Sequence, residues 1–435
     1  MGNKEYKETT VFNVYFDEAY KDHSLKFKNE NRNYHIDSIR EYTIGTFVGW
    51  PEDEESTIEI DFTNWKNKWN DIYHRDKDRE IKGEFFTQKA GLSNGFSTQK
   101  KFLDKRDMLY EFFQLVNKNI DFIQISFESK TFQAIREYIY PTLNLLADKQ
   151  SQDNFLYGMC KFLDQHAPND LWEHIIKQNV DQKVVYGEIY RALKSHKEQP
   201  MLNKFRRVKR TEKNFCIQAM KIIGTYNQQE FFQQKNNNKH EDFSLQFDYD
   251  NFFYGVCLHL KNNQIKKSTV RMLVDPEGTG REVDSAKKYF EVVNPKSIEH
   301  IESNSFVGLQ ISDIIAHTFG AISVYARKSI QPINSEGKKL ISKSWFDTNQ
   351  KGFDLYIEIF KLFEKNSFSS ENDKGFYFTY ISKYADDAFL CINMIKYYGR
   401  FNSFEEFSEE TPEQHTEYFN SSIVDSLDRK VFNNK

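Results

Sequence analysis

Four carboxylates in this 435-residue chain stand where carboxylates are costly. Asp17 follows the apolar and aromatic run VFNVYF, and Asp275 follows STVRMLV, so both sit at the ends of segments that read as buried strands. Asp313 lies inside FVGLQISDIIAHTFGAISVYA, a helix that is apolar almost all round. There Gln310, Asp313 and His317 fall at i, i+3 and i+7 and form one narrow polar stripe. A buried carboxylate needs an ion pair, hydrogen bonds or a metal. For Asp313 taken alone, an internal salt bridge or a cap for a neighbouring element is the favoured reading. The fourth acid is Glu80 in EIKGEFF, where it and Glu84 flank Lys82 and a glycine turns the chain toward two phenylalanines. Solvation at a helix end is the plainer reading there, and Glu80 is the stronger candidate of the two.

Three or four acids delivered from strand ends and one helix suit two-metal phosphoryl hydrolysis. In that chemistry two Mg²⁺ or Mn²⁺ ions lie roughly 3.5–4 Å apart, one activating water and the other steadying the leaving oxygen. Such hard cations prefer oxygen ligands. Glu18, next to Asp17, points to the opposite face by strand alternation, and its role is to fix the turn or to act from behind the ligands. His317 either donates a hydrogen bond to a carboxylate or packs as a structural histidine.

The elements that must position these acids read as a sheet built from two distant pieces of chain. Strands are expected at about 11–17, 42–50 and 56–62, then at 120–128, 268–275 and 297–303. Helices are expected in NWKNKWNDIYH, with Trp65, Trp69 and Ile72 on one face, in KKFLDKRDMLYEFFQLV and in 306–326. Residues 131–265 read as a helical insertion that contains the Gln/Asn-rich linker 227–242. The chain thus divides into 1–130 and 266–327 as a two-part core, the insertion 131–265, and a helical C-terminal region 328–435 ending in a polar tail that frays after about 405.

The segments YFDEAY, REIKGE, LVDPEG and GLQISDIIAHTFG, in this order, resemble the family called domain of unknown function 3800. That resemblance covers roughly residues 10–130 and 265–327, and it implies an α/β (α+β) ribonuclease H-like fold. Such a fold has a mixed five-stranded sheet with flanking helices, here interrupted by the insertion. It places Asp17 and Glu18 at the family's first acidic pair, Glu80 and Lys82 at its Glu-x-Lys element, Asp275 at its late strand acid, and Gln310 and Asp313 at its Gln-x-x-Asp helix. Ala19 and Tyr20 replace the family's Ser-Gly, and Ile311 and Ser312 its Leu-Ala.

The expected function is a metal-dependent nuclease using Mg²⁺ or Mn²⁺, acting on DNA or RNA and working with a protein partner in an antiviral defence system. The rival is a scaffold that keeps the fold without catalysis and senses nucleic acid inside a larger complex. Hydrolysis of a small phosphorylated molecule is a third reading. Net charge is −4, so any nucleic-acid surface is a local patch. NKFRRVKRTEKNF provides one, with Arg206, Arg207, Lys209 and Arg210 interleaved with apolar residues; a solvated helix face is the alternative.

Other chemistries lack their signatures. The four cysteines form no CxxC pair, and the eleven histidines show no paired ligand spacing. There is no Walker A loop and no lipase-type nucleophile elbow. The absence of a signal-like start and of a long apolar run points to the cytoplasm and to no membrane partner.

Overall fold

The structure is a computed structural model that describes residues 11–19, 42–77, 79–87, 103–120, 122–177, 181–198, 206–228, 249–262, 264–266, 269–274, 281–290, 306–331, 340–365 and 386–432. A mixed sheet lies at its centre. Strands β1 (Phe12–Ala19), β2 (Tyr42–Pro51), β3 (Phe122–Ser129) and β4 (Val270–Val274) stand in the order β3-β2-β1-β4. β1 pairs antiparallel with β2, β2 antiparallel with β3, and β1 parallel with β4. Strand pairing therefore joins two stretches of chain that are separated by the helical insertion.

Among the described residues the central sheet has four strands rather than the expected five. The segment 56–62, expected as a strand, is instead part of helix α1 (Glu55–Ile72). Ile58 and Phe62 are four residues apart and both buried, with Trp65 and Trp69 continuing that face, while Ile60 is 61% exposed. The alternation of Ile58, Ile60 and Phe62 fits both periods, and packing of the longer helical stripe decides between them. Ile72 is 48% exposed and does not share the tryptophan face. The expected strand at 297–303 and the linker residues 229–242 lie outside the described residues.

Each face of the sheet has its own core, because neighbouring side chains on a strand point opposite ways. On one face Tyr15, Ile44, Val48, Trp50, Ile123, Ile125 and Phe127 pack with α1, α3 (Leu103–Asn119) and α11 (Val307–Ser329). Helices α12 (Gln350–Lys365) and α13 (Asp386–Tyr398) extend this core. On the other face Phe12, Val14, Phe16, Phe47 and Met272 meet α9 (Asp250–Asn262) and α10 (Arg281–Tyr289). A third core forms within the insertion, from α4 (Lys130–Ile139), α5 (Lys149–His166), α6 (Asn169–Lys177), α7 (Gln182–Glu198) and α8 (Arg206–Gln228). Helix α9 falls in the insertion by sequence texture, yet it covers the sheet.

The C-terminal region is helical well past 405, in α14 (Phe404–Ser408) and α15 (Pro412–Phe432). The expected frayed tail is overturned by aromatic packing. Phe407 and His415 stack with centroids 4.1 Å apart, and buried His415 bridges the Tyr397 hydroxyl at 2.9 Å and the Phe407 carbonyl at 2.8 Å.

One buried and one mostly buried histidine make stability depend on pH. His259 of α9 packs on Phe122 with centroids 4.3 Å apart, and burial pushes its pKa down to about 3. Burial likewise pushes His317 down to about 4, with Glu84 opposing and Lys82 adding to the shift. Below the ordinary value of 6.5 the unfolded chain takes up protons that these folded imidazoles refuse. Stability therefore falls as pH drops from 6.5 toward 4, by about 1.4 kcal/mol per pH unit for each histidine. In urea melts between pH 6.5 and 4.5, His259→Phe is expected to remove about one such contribution from the slope. An unchanged slope would show that His259 does not carry it.

Candidate active site

The carboxylate candidates are organised by the end of α1, the loop after it and helix α11. Two residues past the end of α1, His74 takes a left-handed φ of 53°. The His74 N–H donates to the Asp71 carbonyl at 3.1 Å, and the Arg75 N–H donates to the Asn70 carbonyl at 2.8 Å. This is a Schellman ending with histidine in the place glycine usually fills. Buried Asn70 then donates its amide to the Lys77 and Arg79 carbonyls, at 3.1 and 2.8 Å, which ties down the loop leading to Glu80. The Arg75 guanidinium donates to the Glu80 carbonyl at 2.8 Å.

That loop leads into α2 (Glu84–Thr87) and lands on α11. The Gly83 N–H donates to Asp313 Oδ2 at 2.6 Å. A Cβ on Gly83 would lie 2.5 Å from His317 Cβ and 2.6 Å from the Asp313 carbonyl oxygen, so only glycine permits this approach. Gly83→Ala is accordingly expected to push the loop off the helix and cost about 1–3 kcal/mol in urea unfolding. A variant as stable as the parent would contradict that account.

His317 Nε2 lies 3.3 Å from Asp313 Oδ1. Burial lowers the His317 pKa, so at pH 7 the imidazole meets the carboxylate as a neutral ring rather than as a cation. Glu80 is mostly buried, and its carboxylate lies 3.8 Å from the exposed Lys82 ammonium. One residue before Asp313 on α11, the Ser312 hydroxyl donates to the Tyr15 carbonyl of β1 at 3.2 Å. Gly308, one turn earlier, lets α11 approach the Tyr15 ring.

Asp17 lies inside β1 rather than at its end. The strand continues to Ala19, with Asp17 opposite Thr46 and Glu18 opposite Gly45. Both acids are buried, at 7% and 6% exposure. Asp17 shares the face of Tyr15 and Ala19, the face that α11 covers. Its Oδ1 accepts the Glu18 N–H at 2.7 Å. Glu18 faces the other way and accepts the Tyr249 hydroxyl at 2.9 Å beside α9, so the sheet separates it from Asp313.

Gln310, Asp313 and His317 thus lie on α11, Glu80 on the loop tied to Asp313, and Asp17 on the sheet face that α11 covers; these described acids and His317 do not form a group of three ligand atoms within 4.8 Å of one another. Asp275 lies outside the described residues; Val274, just before it in the chain, pairs with Phe16, the residue before Asp17. Arg206, Arg207, Lys209 and Arg210 fall on the first turns of α8 in the insertion, and their side chains lie outside the described set.

Two cations near the loop have no sequence signal. Arg75 and Lys105 both approach the Phe85 ring, at 4.8 and 4.4 Å from its centroid, and Lys105 also donates to the Phe85 carbonyl. Burial lowers the Lys105 pKa, and the neighbouring Arg75 charge lowers it further. They are 30 positions apart in sequence, and only the fold places them on one ring.

Compared with known family models, curated proteins and solved structures, the chain matches none of them. Among the described residues no helix is long and apolar enough to cross a membrane.

Proposed function

We propose that this chain is a divalent-metal-dependent nuclease that hydrolyses phosphodiester bonds on a ribonuclease H-like core, within an antiviral defence complex. The observation that supports it is the double tie made by two consecutive residues of α11. Ser312 holds the strand that carries Asp17, and Asp313 holds the loop that carries Glu80. The four described strands form a mixed sheet, one strand short of the five that such a core has.

By donor type the set suits Mg²⁺ or Mn²⁺, although the described acids Asp17, Glu80 and Asp313 do not form a group of three ligand atoms within 4.8 Å of one another. Asp17, Glu80 and Asp313, with Asp275 as the fourth acid, offer hard oxygen ligands, and each carboxylate oxygen that accepts one N–H keeps a second lone pair. When bound, such ions would supply charge neutralisation and an acidified water. The chain's own residues do the rest. His317 and the Gly83 N–H fix the Asp313 carboxylate, and the sheet fixes Asp17. Arg75 and Lys105 place positive charge beside the loop, where a phosphate backbone would pass, and the basic start of α8 offers a second contact surface.

One observation favours a second reading, a scaffold without catalysis. Both Asp313 oxygens already meet protein groups, Oδ2 the Gly83 N–H and Oδ1 the His317 ring, so this residue has a sufficient structural role. The deciding experiment incubates the purified chain with single- and double-stranded DNA and RNA in Mn²⁺, Mg²⁺ or EDTA, beside Asp17→Asn. Metal-dependent cleavage lost in the variant supports the nuclease. No cleavage together with no Mn²⁺ binding favours the scaffold.

A further inference from the structure

Away from the sheet, three helices of the insertion converge on a group that no spacing in the sequence marks. His166 is the last residue of α5, His196 lies in the last turn of α7, and Glu212 lies in the second turn of α8. His196 Nε2 is 3.3 Å from Glu212 Oε2. The two imidazoles stand with centroids 4.0 Å apart and planes at 33°. One ligand atom from each of the three residues lies within 4.8 Å of the others. His196 is mostly buried, and its Nδ1 has no hydrogen-bond partner among the described residues. The three ligand atoms already stand close enough for one ion to draw them together. His166 is exposed and leaves a way in from solvent.

We propose that His166, His196 and Glu212 form a binding site for one divalent transition-metal ion, Zn²⁺ by preference. Two imidazoles and one carboxylate are a recurrent three-ligand zinc set, which leaves a fourth position for water. The chemistry differs from that of the all-oxygen centre at Asp17 and Asp313, which suits harder cations. Two imidazoles this close repel when both are protonated, so the ligating neutral form is favoured. Ligation ties the ends of α5 and α7 to the start of α8, the helix that opens with Arg206, Arg207, Lys209 and Arg210. The site therefore fixes the basic segment relative to the rest of the insertion, whether or not the chain is a nuclease.

The test uses the full chain carrying Asp17→Asn and Asp313→Asn, so that the carboxylate centre does not compete. After chelation and dialysis it is titrated with Zn²⁺ by calorimetry and with Co²⁺ by visible absorption. One equivalent is expected to bind, with ligand-field bands of a nitrogen- and oxygen-coordinated Co²⁺ ion. His196→Gln or Glu212→Gln should weaken binding by at least the roughly 10–100-fold that loss of an outer-shell partner costs. Zn²⁺ should raise the melting temperature of the parent and leave the variants unmoved. If His196→Gln fails to fold, His166→Gln at the exposed end of α5 decides the matter in the same way. Folded parent that takes up no Zn²⁺ saturably, or uptake undiminished in the ligand variants, overturns the proposal.

Discussion

Changing Asp17 to Asn is expected to remove metal-dependent phosphodiester cleavage, by on the order of a thousandfold, while the melting temperature stays level or rises. The expectation rests on where the carboxylate stands. Asp17 is buried within β1, on the face covered by α11, and its Oδ1 accepts the Glu18 N–H at 2.7 Å. Asparagine keeps that acceptor and nearly the same shape, so the Glu18 contact survives the change. What disappears is a negative charge held in a poorly solvated place, which costs stability unless something cationic meets it. Loss of activity with unchanged or improved stability is therefore the signature of a ligand, and loss of both would mark a structural acid. Asp313→Asn should also abolish cleavage but is a less clean test. The two Asp313 oxygens meet the Gly83 N–H and the His317 ring, and an amide offers one oxygen for the two, so about 1 kcal/mol of stability is expected to go with it. A folded Asp17→Asn variant that cleaves as fast as its parent would remove Asp17 from the centre.

The largest expected effect on stability belongs to Glu55, at the first turn of α1. Its carboxylate accepts three donors from the sheet: the Tyr15 hydroxyl at 2.6 Å, the Trp50 indole N–H at 2.7 Å and the Asn13 amide at 2.9 Å. Tyr15 and Trp50 are buried and stacked, with centroids 4.8 Å apart. Burial and the Glu55 charge both raise the Tyr15 pKa far above its ordinary value, so the phenol stays a donor at any ordinary pH. Glu55→Ala removes the acceptor from three donors at once, and each buried donor left without one costs about 1–3 kcal/mol. A loss of about 3 kcal/mol or more in urea unfolding is expected, with Glu55→Gln milder because one oxygen remains. A loss for Glu55→Ala below about 1 kcal/mol would show that water reaches these donors and replaces the carboxylate.

Short-range pattern and tertiary context contributed differently to this protein. The helices α3, α5, α7 and α11 and the strands β1, β2, β3 and β4 are legible from periodicity, because the residues that set each period are neighbours in sequence. The oddity of Asp17 and Asp313 is legible for the same reason, since an acid in a locally apolar run is visible without knowing what it faces. Periodicity fails where two periods fit one short segment. Residues 56–62 read as a strand until Trp65 and Trp69 extend the stripe into a helix that buries against α3. It fails also at the C-terminus, where a polar run is held as helix by Phe407, His415 and Phe419 meeting aromatics from distant segments.

What no window of sequence contains is which polar groups meet. The approach of Gly83 to Asp313, the three donors on Glu55, the sharing of Phe85 by Arg75 and Lys105, and the junction of His166, His196 and Glu212 each join residues brought together by packing of separate elements. Their energies depend on burial and on distances of a few ångströms. The sequence by itself determined the elements and their apolar faces, because those follow from the local alternation of side chains. Only the tertiary structure decided which carboxylates, imidazoles and cations share a site, because that depends on how the buried faces dock.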